Sequence, residues 1–125
     1  MTNIDAAAHV TGRSIYLDDI PVMQGTLTIK VFDSAVAHGH ITHLDYSQAE
    51  QVAGIVRILS YKDIPGENQI GGIFPDEPLL ADHEVHFRGQ PILLIVAEND
   101  DAAHEAYQLI QIQMEPLPII TDPRE

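Results

Sequence analysis

The sequence predicts an α+β fold, and three observations carry the prediction. Residues 91–97, Pro-Ile-Leu-Leu-Ile-Val-Ala, are nearly all apolar, as in a strand covered on both faces. A capped helical pattern and then a period-2 pattern follow it directly, so strands and short helices mix without the βαβα alternation of a doubly wound sheet. Residues 63–91 admit neither pattern, because Pro65-Gly66, Gly71-Gly72, Pro75-Asp76 and Pro78 interrupt them every few positions. Structureless loops beyond about 12 residues are uncommon in compact domains and tend to be functional. Ile70, Ile73, Phe74, Leu79, Leu80 and Val85 are expected to pack this one down.

Taken in order, residues 1–24 read as an N-terminal arm and turn, broken at Thr11-Gly12, Asp18-Asp19 and Pro21. Leu27, Ile29 and Val31 alternate with Thr28 and Lys30, the pattern of a half-buried strand with the apolar set inward. A second strand is expected over 38–46, rich in Ile41, Thr42, Leu44 and Tyr46. Ser47 and Glu50 have capping-box spacing for a helical turn that Gly54 closes. Ile55, Val56, Ile58 and Leu59 make a third strand. Beyond the loop, 91–97 is the expected sheet centre. Asn99 caps a helix whose buried stripe is Ala103, Ala106, Tyr107 and Ile110, with Asp100 and Asp101 at the positive end of its dipole. Ile110, Ile112 and Met114 begin a last alternation that Pro116 and Pro118 stop. The unit over 91–115 is long enough for a crossover.

Composition narrows function. One hundred and twenty-five residues, 45% hydrophobic, fit a single domain over 1–125 with a real core. A net charge of −13 opposes nucleic acid and anionic membranes as partners. The absence of cysteine excludes disulfides, thiolate metal sites and cysteine nucleophiles. With neither a leader pattern nor a long apolar run, a cytoplasmic protein is expected.

No catalytic, cofactor-binding or metal residue emerges from the motifs. The turn at Glu98-Asn99-Asp100-Asp101 lacks the glycines of a dinucleotide site, and Gly71-Gly72 lacks the Lys-Ser/Thr of a phosphate loop. Neither Asp18-Asp19 nor Asp76-Glu77 has the surroundings of a metal or acid–base pair. Among the histidines, His38 and His40 share a strand face while His43 points the other way, so the three are not expected to hold zinc; His83 and His86, with Asp82 and Glu84, score no better.

Several stretches, in order, resemble a known family. Residues 9–21, containing Val10-Thr11-Gly12 and Tyr16-Leu17-Asp18-Asp19-Ile20-Pro21, are similar to the V-T-G-x-A-x-Y-x-D-D-I-P opening of the molybdenum-binding subunit of xanthine dehydrogenases. Residues 34–41 resemble its S-x-x-A-H-A-x-I run and 59–76, with one extra residue at Gly71-Gly72, its L-S-x-x-D-I-P-G-x-N-x-x-G-x-F-x-D run. Gly89-Gln90-Pro91-Ile92 and Glu115-Pro116-Leu117-Pro118 match G-Q-P-V/I and E-x-L-P. Gly39, His40 and Pro116 depart from the usual residues.

The resemblance implies the N-terminal α/β-hammerhead domain of an oxidoreductase that hydroxylates purines in their catabolism. It implies no cofactor in this chain, with molybdopterin held by downstream domains and iron–sulfur clusters and FAD in partner domains or subunits. Ile73 and Phe74 then correspond to an aliphatic–aromatic pair along the substrate channel. The chain reads as a fragment or separately expressed first domain, inactive alone. The rival readings are a free-standing binding or assembly module, and the same domain of an aldehyde oxidase-type hydroxylase.

Overall fold

Each alternating segment becomes a strand, and pairing across the chain decides which of its faces is buried. The computed structural model describes residues 4, 6–122 and 124. Its strands are β1 (Thr28–Asp33), β2 (Gly39–Asp45), β3 (Ile55–Leu59), β4 (Glu84–Val85), β5 (Pro91–Ala97) and β6 (Gln111–Pro116), with helices α1 (Ala6–Val10) and α2 (Asp100–Leu109). The α+β expectation holds, with the strands divided between two small antiparallel sheets ordered β1-β5-β3 and β4-β2-β6. The β5-α2-β6 unit therefore makes no crossover within one sheet. It carries the chain from the first sheet to the second.

β5 is central in its sheet, as its apolar run predicts, but it is enclosed mainly on one face. Leu93, Ile95 and Ala97 are buried while Leu94 and Val96 are half-buried, because α2 packs on one side of this sheet. Asn99 caps α2 as expected, its Oδ1 accepting the Ala102 N–H at 2.9 Å. Buried Ala102, Ala103 and Ala106 let the helix lie close. The second sheet closes the core with half-buried Ile41, Leu44, Ile112 and Met114.

β1 corrects its expected facing. Leu27, Ile29 and Val31 are 43%, 60% and 43% exposed. Thr28, Lys30 and Phe32 form the more buried set instead. Phe32 meets Tyr107 of α2 with ring centroids 5.0 Å apart, and the Lys30 ammonium lies 5.6 Å from the same ring. One large aromatic facing the helix outweighs three aliphatics, because a period-2 pattern says which residues share a face and not which face is covered.

Ser47 does not cap a helix. The Asp45 carboxylate accepts its N–H at 2.9 Å, and only a 3₁₀ turn, Ala49–Gln51, follows before Gly54 reverses the chain at φ 90°. Another 3₁₀ turn, Tyr61–Asp63, is better fastened: Asp63 accepts from the Ser60 N–H (2.8 Å), the Ser60 hydroxyl (3.0 Å) and the Arg57 guanidinium (2.7 Å). These donors, the Ser60 N–H first, hold the Asp63 carboxyl below the ordinary carboxylate range. A depressed folded-state value contributes stability above the unfolded value, and that contribution disappears as pH falls through the folded one. Asp63→Asn is expected to lower the denaturation midpoint at neutral pH, and the two proteins should converge as pH drops below about 4. A midpoint difference that persists at low pH would contradict this.

Candidate functional site

The long loop is anchored at its ends and bare in its middle. Leu80, Ala81 and Val85 are buried, but Ile70, Ile73, Phe74 and Leu79 are 54%, 89%, 70% and 40% exposed, so four of the six expected anchors face outward. The loop finds its hold in polar contacts instead. Asn68 grips Leu80 from both sides: its amide donates to the Leu80 carbonyl at 2.7 Å and its carbonyl accepts the Leu80 N–H at 3.0 Å. The Ala81 N–H donates to the Pro91 carbonyl at 2.8 Å, joining the loop to β5.

Above that base stands an arch. The Ile70 N–H donates to the Glu77 carbonyl at 2.8 Å, the Gly71 N–H to Gln69 Oε1 at 2.7 Å, and the Gln69 amide to the Phe74 carbonyl at 3.3 Å. The Phe74 carbonyl comes so close to Gly71 that a β-carbon there would collide with it. Glycine at 71 is thus a requirement of close approach. The arch holds Ile73 and Phe74 at its crest, where the aromatic ring offers a flat apolar surface to whatever lies outside the chain.

The remaining polar positions lie elsewhere. His38 and His40 share a face of the second sheet, as alternation predicts, and Glu84 and His86 join them there from the neighbouring segment. Glu84 is held below its usual range by the hydrogen bond from His38. The His38 imidazole is held above its own by the Pro118 carbonyl and then by Glu84. A bulge in β2 between Ile41 and His43 corrects the expected facing of His43: it pairs with Gln113, two residues from the Glu115 that faces His40, and so lies on the same outer face rather than the opposite one, lining a separate cleft of about 240 Å³ with Tyr46, Tyr61 and Asp82. Sequence spacing could not gather Glu84 and His86 with His38, because the signal is the pairing of β2 with a two-residue strand inside an apparent loop.

The family motifs acquire local reasons. Gln90 is buried and its Oε1 accepts the His86 N–H at 2.6 Å, while Gly89 turns at φ 89° and donates to the Ser34 carbonyl at 2.8 Å, so Gly-Gln-Pro-Ile fastens β5 to the end of β1. Gly39 is buried with β6 against it.

Two antiparallel sheets sharing a core, one helix on the first and a long clamped loop with an exposed crest define a small α/β domain of the hammerhead type. The chain belongs to the aldehyde oxidase and xanthine dehydrogenase a/b hammerhead domain family, whose model matches residues 11–118. It is 38% identical over 120 residues to the xanthine dehydrogenase/oxidase of Mus musculus, covering 96% of this chain and 9% of that protein. It is 38% identical over 123 residues to xanthine dehydrogenase 1 of Arabidopsis thaliana, covering 98% of this chain and 9% of the relative. Among solved structures it is similar to CO dehydrogenase from Oligotropha carboxidovorans, with a TM-score of 0.85, 27% identity, and coverage of 99% of this chain and 16% of the other. The aldehyde oxidoreductase of Desulfovibrio gigas gives a TM-score of 0.77 at 31% identity, covering 92% of this chain and 14% of that one. The chain thus spans a small part of the length of these relatives.

Proposed function

We propose that residues 1–125 form one hammerhead domain of a cytoplasmic molybdenum hydroxylase of the xanthine dehydrogenase type, and that its arch forms part of the wall of the substrate channel. The observation that carries the reading is the outward Ile73–Phe74 crest, 89% and 70% exposed on a backbone-constrained arch, in a chain of this family. Its partners are the domains that hold molybdopterin, with iron–sulfur and FAD domains or subunits beyond them. Several relatives named as xanthine dehydrogenases favour purine as the substrate class.

No residue of this chain is assigned to holding the pterin. Among the described residues every buried side-chain nitrogen and oxygen already has a hydrogen-bond partner, so no orphaned donor set awaits one. No chemical step is assigned to this chain. Its role is to shape the approach: an aromatic wall orients a flat heterocycle by its face, and an aliphatic neighbour excludes water.

In the full-length enzyme, Phe74→Ala is expected to change kcat/KM for purines or shift substrate preference. Because the ring is exposed, its cost in stability should fall well below the about 3–5 kcal/mol of a buried phenylalanine. Steady-state kinetics with denaturant unfolding checks both parts. Unchanged kinetics together with a large loss of stability would return Phe74 to a packing role.

A further inference from the structure

The outer face of the second sheet carries a cluster that the channel reading does not use. Gly39 pairs with Val85 and His40 with Glu84 in the β2–β4 ladder, and the same alignment continued by one residue sets His38 opposite His86. Their rings confirm the continuation, with centroids 6.0 Å apart. Four side chains, two from each segment, therefore stand in a square on one face, while Val85 and Gly39 turn into the core.

All three imidazoles turn a nitrogen toward one carboxylate. His38 Nε2 lies 2.8 Å from Glu84 Oε1, His86 Nδ1 3.7 Å from the same oxygen, and His40 Nδ1 3.6 Å from Oε2. One ligand atom each from His38, Glu84 and His86 fall within 4.8 Å of one another. Donor atoms around a tetrahedral zinc with bonds of about 2.0–2.1 Å stand about 3.3–3.4 Å apart, in the middle of the spacings seen here.

The outer contacts are those of a metal-binding imidazole. His38 Nδ1 lies 3.0 Å from the Pro118 carbonyl, an acceptor only, so this nitrogen carries the hydrogen. The Nε2 lone pair of a neutral ring then faces a carboxylate oxygen, and two acceptors at hydrogen-bond distance need a cation between them. A single proton serves His38 and Glu84 alone and leaves His86 and His40 aimed at the same group. A metal ion serves His38, Glu84 and His86 together, while His40 stands on the other carboxylate oxygen, outside that group. Donation from the second ring nitrogen to a backbone carbonyl is also the usual way a ligating histidine is oriented. The backbone of His86 is fastened in turn, its main-chain N–H donating to the Oε1 of buried Gln90 at 2.6 Å. Glu115 of β6 faces His40 on its other side in register, adding negative charge beside the cluster.

We propose that His38, Glu84 and His86 form a binding site for a divalent transition-metal ion of the zinc class, with the fourth position open to a water molecule. The site is built wholly from this chain and is independent of the channel reading. The ligand types select the ion: imidazole and one carboxylate without thiolate suit zinc or cobalt and are poorly matched to calcium or magnesium. A bound ion would join β2, the exit of the long loop and, through Pro118, the segment after β6.

The test is titration of the purified 125-residue chain with Zn²⁺ and with Co²⁺, read by calorimetry and by the visible absorption of cobalt. One ion per chain is expected, with an intense cobalt band of the four-coordinate kind and a rise in thermal midpoint on adding zinc. Glu84→Gln and His86→Ala should each weaken binding by about 10-fold or more. Both positions lie on the surface-facing side, and unchanged circular dichroism and metal-free midpoint confirm that the variants fold. His43→Ala and His104→Ala, at histidines elsewhere, should bind as the parent does. Absence of stoichiometric binding, or a loss in the two control variants equal to that in Glu84→Gln and His86→Ala, overturns the proposal.

Discussion

Replacing Ile95 by alanine is expected to cost the chain about 2–5 kcal/mol, the range for emptying a large aliphatic site in a packed core. Ile95 is fully buried in the central strand, paired with Lys30 of β1 on one side and Ile58 of β3 on the other. Leu93 and Ala97, beside it on the same face, are equally enclosed. Ile29→Ala, on the opposite face of the same sheet, is expected to change stability by no more than about 0.5 kcal/mol, because Ile29 is 60% exposed. Urea unfolding of both variants gives the comparison directly. Equal losses would mean that the outer face of the first sheet is covered in solution.

The second large effect is expected at Gly39. A β-carbon there would stand 2.8 Å from the Glu115 carbonyl oxygen and 3.3 Å from Pro116 Cα, both of them backbone. Neither can move as a side-chain tip would, so β2 and β6 would have to part along their ladder. Gly39→Ala should destabilise by about 1–3 kcal/mol, as overpacking does. Gly66 serves as the control: a β-carbon there meets nothing within 4 Å, so Gly66→Ala should be neutral or slightly stabilising through its unfolded state. If the two substitutions had the same effect, the tight approach of β6 to Gly39 would not persist in solution. Glycine at 39 departs from the family's usual alanine, and the packing of β6 gives it a reason.

Much of the fold is legible from the chain alone, and the legible parts are of one kind. The central position of β5, the Asn99 cap, the alanine stripe of α2 and the alternation of β6 are each written within a dozen neighbouring residues, where helical or strand periodicity acts. The family resemblance is legible for the same reason, since its motifs mark local turns and close approaches such as Gly89-Gln90 and Gly71. The Ser47–Glu50 capping box does not form because both backbone donors are taken elsewhere: Asp45 accepts the Ser47 N–H at 2.9 Å and the Tyr46 carbonyl accepts the Glu50 N–H at 3.1 Å. That competition turns on a distance, which spacing in sequence does not record.

Direction and partnership, by contrast, are settled in three dimensions. Leu27, Ile29 and Val31 share a face in any strand, but the placement of α2 on the side of Phe32 sends them outward. Ile73 and Phe74 read equally well as core or crest until Asn68 and Gly71 shape the arch that lifts them. His38 and Glu84 are 46 positions apart, and their meeting follows from the pairing of β2 with β4 alone. Periodicity is a property of the local backbone and so is carried by the sequence. The choice of covered face and of strand partner is made by burial and pairing between distant segments, and it exists only once the chain has closed on itself.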